Sequence, residues 1–274
     1  MKQKLFIALV ISSSMMLVSS CTGDSAKEET QAPKLKEETV SYTVDSLNMK
    51  SFVVYDENLQ GKRPAVLVVH EWWGLNDYVK NRARQLAELG YVAMAVDMYG
   101  NDRMGSDPKE AESLAMPFYY HPDMAKKHFD AALENFKKNE NVDANNIAAM
   151  GYCFGGSVVL GMAKMGEDLK GVVSFHGNLA GMAPDKSLLK ADILVCHGAD
   201  DQFVSPAEVD QFKKQMDSIG ANYTFKAYPG ATHSFTNPQA TEWGEKFNMP
   251  ISYNAAADSA SWNDMKVFFG KIFR

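Results

Sequence analysis

Only three cysteines occur among the 274 residues, too few for a disulfide framework. There is no CxxC pair and no HExxH, so the common zinc spacings are missing and no metal is expected. No apolar run is long enough to cross a bilayer as a helix. The best, residues 5–18, has 14 residues where ~20 are needed. Basic residues form no block. They number 28 against 34 acidic residues, a net charge of −6, which argues against a nucleic-acid footprint. What is present is ordinary for a globular chain: 46% hydrophobic and 23% charged, values that exclude wholesale disorder.

The first 20 residues read as an address rather than as fold. Lys2 and Lys4 precede the apolar run, as in the n- and h-regions of a secretory signal. Val18-Ser19-Ser20-Cys21 then resembles a bacterial lipobox, which implies cleavage before Cys21 and lipidation of its thiol. An ordinary secretory signal ending near a small residue is the alternative. Residues 22–38 are polar and charged, the composition of a flexible tether. The expectation is an exported bacterial lipoprotein on the periplasmic or cell-surface side of a membrane. It would comprise a signal peptide over 1–20, a lipid-anchored tether over 21–38 and a globular domain over 39–274. The membrane would be met through that anchor alone. Nothing in the sequence speaks to an oligomeric state.

Downstream, short apolar runs alternate with helical patterns. Strands are expected over 40–44, 50–55, 65–70, 91–99, 147–150, 171–175, 193–196 and 223–228. The run AVLVVH at 65–70 is almost continuously apolar, as in a strand buried on both faces. Helices are expected over 77–89, with Gly90 as the stop, and over 122–138, 157–165, 206–219 and 255–273. Residues 100–121, with Gly, Asp and Pro, read as irregular. Strands separated by helices imply βαβ units and a mostly parallel central sheet flanked by helices. The first two strands can sit antiparallel at one edge. Without an internal repeat or a second composition break, a single α/β domain is expected. Sites in such sheets form at the carboxyl ends of strands.

Gly151-Tyr152-Cys153-Phe154-Gly155-Gly156 follows a strand and opens a helix. It has the form of the G-x-S-x-G nucleophile elbow, with cysteine in the serine place. Glycines are needed because a turn this tight leaves no room for flanking side chains. The helix N-terminus beneath favours a thiolate and a developing oxyanion. The bland reading is a buried structural cysteine in a glycine-rich turn; Cys196, at another strand end without a glycine frame, reads as core. A thiol nucleophile needs a base and an orienter. The order nucleophile, acid, histidine is met by Cys153, the acidic turn at Asp200-Asp201, and His233, each after its own strand. The remaining histidines lack that placement.

These motifs together resemble the dienelactone hydrolase family. The matching pieces are His70-Glu71-Trp72-Trp73-Gly74-Leu75-Asn76, Asp97-Met98-Tyr99-Gly100, the elbow, Asp200-Asp201-Gln202-Phe203-Val204, and Gly230-Ala231-Thr232-His233-Ser234-Phe235. The resemblance covers nearly all of the chain from about residue 40. It implies an α/β-hydrolase fold, no cofactor, and a catalytic triad of Cys153, His233 and Asp201, the last chosen over Asp200 because it directly precedes Gln-Phe-Val. It also implies that Glu71 contacts the resting thiol and helps to generate the thiolate. The backbone N–H groups of Phe154 and Trp72 would form the oxyanion hole. Trp73, Tyr99, Arg103 and Phe235 would join Trp72 and Phe154 around the substrate pocket.

The chain departs from the family at the substrate carboxylate. Dienelactone-cleaving members clamp it with two arginines. Gly100-Asn101 and Asn237 stand at the corresponding places here, with Arg103 near the first but not on it. Asparagine brings no charge. The expected substrate is therefore a small ester or lactone that is not dienelactone itself, hydrolysed through an acyl-enzyme. The competing classes are a thiol redox protein, which would need a resolving cysteine, a catalytically inactive binding protein, and an esterase or peptidase acting on a larger carbohydrate or peptide substrate.

Overall fold

Strand pairing sets the frame on which the site is built. The computed structural model describes residues 31–274; the signal, the lipobox and Cys21 lie outside them. β1 (Leu35–Val44) and β2 (Leu47–Asp56) form an antiparallel hairpin, and β2 pairs antiparallel with β4 (Val92–Val96). From there every pairing is parallel: β4 with β3 (Arg63–Val69), then β5 (Val142–Tyr152), β6 (Gly171–Phe175), β7 (Asp192–Gly198) and β8 (Tyr223–Tyr228). The antiparallel pair sits at one edge, as expected.

Alternation along the strands feeds two cores. Leu67 and Val69 of β3 join a cluster with Phe129, Phe136 and Val159. Val66 and Val68 point the other way, to Leu86 and Phe269. Thus α1 (Asp77–Glu88) and α7 (Ala255–Ile272) cover one face of the sheet. The other is covered by α3 (Pro122–Phe136), α4 (Phe154–Lys164) and α5 (Pro206–Ile219).

Several element boundaries differ from the sequence expectation. Residues 108–120 are not irregular but form α2 (Pro108–Tyr120). Its start is capped by Asp107, whose side chain accepts from the Glu110 N–H, with Pro108 in the first turn. α6 (Ala240–Phe247) lies in a stretch for which no helix was expected. The first strand begins at Leu35, so residues 35–38 of the composition-defined tether are paired with β2, Tyr55 donating to Glu38 at 3.0 Å. In addition, α4 starts at Phe154, one turn earlier than the hydrophobic pattern shows.

Gly155 locks α4 to the sheet. A Cβ at that position would lie 2.2 Å from the Val69 carbonyl oxygen and 2.7 Å from that of His70. Both obstacles are backbone, so the helix would have to lift off β3. Gly155→Ala is expected to cost at least about 3 kcal/mol, lowering Tm by roughly 6–12 °C for a domain of this size. Gly161→Ala, on the same helix with nothing within 4 Å of the added atom, is expected to hold or raise Tm. Parallel thermal melts by circular dichroism compare the two.

Candidate active site

The turn between β5 and α4 consists of Cys153 alone. Its φ of 52° and ψ of −114° are strained for a residue with a side chain. The turn tolerates this because its neighbours hold it. Its N–H donates to the Phe175 carbonyl at 3.0 Å and to His176 Nδ1 at 3.1 Å. Its carbonyl accepts from the Ser157 N–H at 3.2 Å. Gly151 is required here, since a Cβ on it would lie 2.1 Å from the Gly155 oxygen.

His233 follows β8 and Asp201 follows β7. The His233 Nδ1–H donates to Asp201 Oδ2 at 2.8 Å, which leaves Nε2 for Cys153. Asp201 Oδ1 accepts from the Phe203 N–H at 2.8 Å, fixing the carboxylate plane. Asp200 is exposed. Burial opposes a charge on His233, yet Cys153 and the Asp201 carboxylate beside it outweigh that and raise its pKa well above the usual value. A histidine held between a thiol and a carboxylate is an arrangement that can support an ion-paired thiol nucleophile.

A second histidine ties the two loops together. His176 sits directly after β6 and is fully enclosed. Burial, with the His233 charge 5.2 Å away between ring centres, holds its pKa well below the ordinary value. A neutral ring accepts at Nδ1 from Cys153 and donates through Nε2–H to Thr236 Oγ1 at 2.7 Å. Thr236 lies three residues beyond His233. Its carbonyl accepts from Arg82 Nη2 at 2.7 Å, and the same nitrogen meets Asp258 at 2.5 Å. In the sequence His176 reads as one of the histidines without a placement of this kind; in the fold it immediately follows a parallel strand, and that position is the signal.

Glu71 lies elsewhere than the family resemblance implies. Its carboxylate is 2% exposed and accepts from Ser234 Oγ at 3.2 Å and from Asn237 Nδ2 at 2.6 Å, rather than meeting the thiol. Burial pushes its pKa up against those two hydrogen bonds. With Asn237 wholly enclosed and committed to Glu71, that position offers a substrate nothing. Phe154 opens α4, and Trp72 stands in the loop that Gly155 brings against it. Neither N–H is taken up by a backbone carbonyl among the described residues. Both are available to an oxyanion.

A cavity of about 390 Å³ opens over Cys153 and His233. Trp72, Met116, Tyr119, Phe203, Met249 and Ile251 supply its apolar walls, and no Lys, Arg, Asp or Glu lines it. Five expected wall residues are absent from it, Phe154 lining instead the neighbouring cavity along α4. Trp73 turns away to pack on Trp243, at 4.8 Å between rings. Tyr99 is enclosed, its hydroxyl donating to the Trp72 carbonyl at 3.0 Å. Phe235 packs behind His176. Arg103 spends its guanidinium on the carbonyls of Tyr99 and Gly100. The residues that replace them come from α2 and from the segment after α6, both unread in the sequence. Cys196 is core: burial pushes its thiol up to about 12. Among the described residues no group of three or more His, Cys, Asp or Glu could hold a metal ion, and no helix is long and apolar enough to cross a membrane.

Residues 49–273 match the model of the Dienelactone hydrolase family. A Methylorubrum extorquens protein named "Putative carboxymethylenebutenolidase" is 28% identical over 186 residues, 64% of each chain. The chain therefore spans just under two thirds of that relative. A protein of the same name from Saccharolobus solfataricus is 24% identical, over 86% of this chain and 99% of its own. The crystal structure of a dienelactone hydrolase-like promiscuous phosphotriesterase from metagenomic libraries superposes with a TM-score of 0.83. The two are 33% identical, over 88% of this chain and 99% of that one.

Proposed function

The chain belongs to the dienelactone hydrolase family and is a carboxylic ester hydrolase; on that premise we propose that it cleaves small uncharged esters or lactones through a Cys153 acyl-enzyme. The observation that carries this reading is the His233–Asp201 pair at 2.8 Å, beside a strained Cys153 in a cavity that no Lys, Arg, Asp or Glu lines.

The steps follow from the geometry. The Cys153 thiolate attacks the carbonyl carbon, and the oxygen that becomes negative receives the N–H groups of Phe154 and Trp72. Each such donor is worth a few kcal/mol in the transition state. The His233 imidazolium gives its Nε2 proton to the leaving oxygen, and the C–O bond breaks. The neutral imidazole then takes a proton from water, which attacks the thioester and releases the acid. Asp201 keeps the Nδ1–H tautomer throughout. Glu71 acts one layer away, holding Ser234 and Asn237 on the His233 loop. Intact-protein mass spectrometry after mixing with an activated ester is expected to show one acyl group on the peptide that contains Cys153.

Charge selectivity follows from the cavity walls. An anionic substrate would place its carboxylate among apolar side chains whose one cationic neighbour, His233, is already paired with Asp201 and Cys153, at a cost of up to ~3 kcal/mol. The kcat/KM for p-nitrophenyl butyrate is expected to exceed that for mono-p-nitrophenyl succinate by about 100-fold, and Arg103→Ala is expected to leave the ratio unchanged. Equal turnover of the two esters would overturn the assignment. Neutral phosphotriesters share the apolar, uncharged character and belong in the same panel. We further propose that lipidation of Cys21 anchors the domain to a membrane. Release of the Cys21→Ser protein into the soluble fraction is the outcome that tests it.

A further inference from the structure

Gly161 stands in the middle of α4, although glycine is the weakest helix former after proline. No close packing demands it, since nothing lies within 4 Å of the Cβ it lacks. What it leaves is a groove. Ser157, Gly161 and Met165 recur every fourth residue on one side of the helix, and with Val158 and Met162 they floor a second, narrow cavity. Met182 and Tyr119 wall it. Ser157 is satisfied by the carbonyls of Asn178 and Cys153, so the floor presents no unmet donor there.

Tyr119 also lines the cavity over Cys153, and its ring stands edge-on to Phe154 at 5.7 Å. The two cavities thus share a wall, and the groove starts beside the residue whose N–H faces the oxyanion. From there it runs ~10 Å along α4, to Lys164. The two halves of an ester must divide between these spaces. His233 has to reach the leaving oxygen, which assigns the alcohol to the side where Phe203 packs 5.0 Å from the His233 ring. The acyl chain is left with the Tyr119 side.

We propose that the groove along α4 is the subsite for the linear alkyl chain of the acyl group, so that the preferred substrates are medium-chain esters. The proposal rests on the Cys153 reading above and extends it to chain length. Methionines at 162, 165 and 182 suit such a chain, because their unbranched side chains conform to a flexible ligand.

The test is the ratio of kcat/KM for p-nitrophenyl octanoate to that for the butyrate, in the full protein and in Gly161→Leu. A fully buried methylene is worth roughly fourfold. An open groove is expected to give a wild-type ratio of about tenfold. Gly161→Leu fills the floor without touching the reacting groups. It should bring the ratio below about two while butyrate turnover changes less than about twofold. Met182→Trp, on the opposite wall, is expected to do the same and serves if the leucine protein does not fold. A wild-type ratio near one, or a ratio that neither variant moves, overturns the groove. If butyrate hydrolysis survives Cys153→Ala, the catalytic reading fails instead. The groove is then judged by calorimetric titration of octanamide into the Cys153→Ala protein with and without Gly161→Leu. Loss of binding on adding leucine supports the groove, and equal binding or none rejects it.

Discussion

Replacing Cys153 by alanine is expected to lower kcat for p-nitrophenyl butyrate by about 10⁴–10⁶-fold while leaving the fold intact. Magnitudes of this size are seen when the nucleophile of a unit that acts together is removed. The loss comes from the covalent step alone. The cavity, the oxyanion N–H groups and His233 all remain, so a small rate above that in water should persist. Packing should not suffer with activity. The Cys153 turn is strained at φ 52°, and its side chain carries no packing comparable to that of Phe154 or Val159. Removing the sulfur also removes the partner that raises the His233 pKa. The stabilisation tied to that raised value is fully present below the unfolded histidine pKa of ~6.5 and fades as pH rises through the folded one. The alanine protein should therefore show a flatter dependence of Tm on pH from neutrality upward. Stopped-flow release of nitrophenolate and melts across pH measure both. Undiminished burst and turnover in the alanine protein would remove Cys153 from the mechanism.

That the sequence brings Cys153, Asp201 and His233 to one place but misses the pocket wall follows from what each depends on. Cys153 stands directly after a parallel strand, Asp201 and His233 in the loops that follow two others, and strand order brings such positions to one edge. Spacing and residue type suffice for that inference. A pocket wall depends instead on which way a side chain turns within a loop. Trp72 and Trp73 are neighbours of the same type, yet one faces the cavity and the other packs on Trp243. Phe235, two residues past His233, is enclosed against His176 for the same reason. Arg103 reads in the sequence as a residue of the substrate pocket. Only the folded chain shows its guanidinium bound to the carbonyls of Tyr99 and Gly100. Helix α2 was hidden by composition: Gly105, Pro108 and Pro117 read as breakers. In the fold Pro108 occupies the first turn, where its missing N–H costs nothing. With α2 unread, Met116 and Tyr119 could not be placed over the thiol. The position of Glu71 depended on Asn237, 166 residues away, a pairing that local pattern does not encode.

Asp201→Asn carries the second large expected effect, a fall of about 10³–10⁴ in kcat with a change of pH profile that a merely structural defect would not give. The carboxylate does two things at 2.8 Å from Nδ1. It accepts the Nδ1–H, which fixes the tautomer with Nε2 toward Cys153, and its charge favours the imidazolium. An asparagine that turns its amide nitrogen toward Nδ1 would reverse the tautomer. One that turns its oxygen keeps the tautomer but loses the charge. Either way the His233 pKa falls from its raised position, because one of the two anions beside it is gone. The sign of the result follows. With the imidazolium lost at lower pH, the alkaline limb of kcat/KM should move down in pH. Cys153 would then lose part of the cationic neighbour that pairs with it. Alkylation of Cys153 by iodoacetamide followed across pH reads the thiolate directly and independently of substrate. Its rate near neutrality should drop in Asp201→Asn and recover in alkali. An alkylation profile identical to that of the unmodified chain, in an asparagine protein with an unchanged melt, would place the charge that sustains the ion pair somewhere other than Asp201.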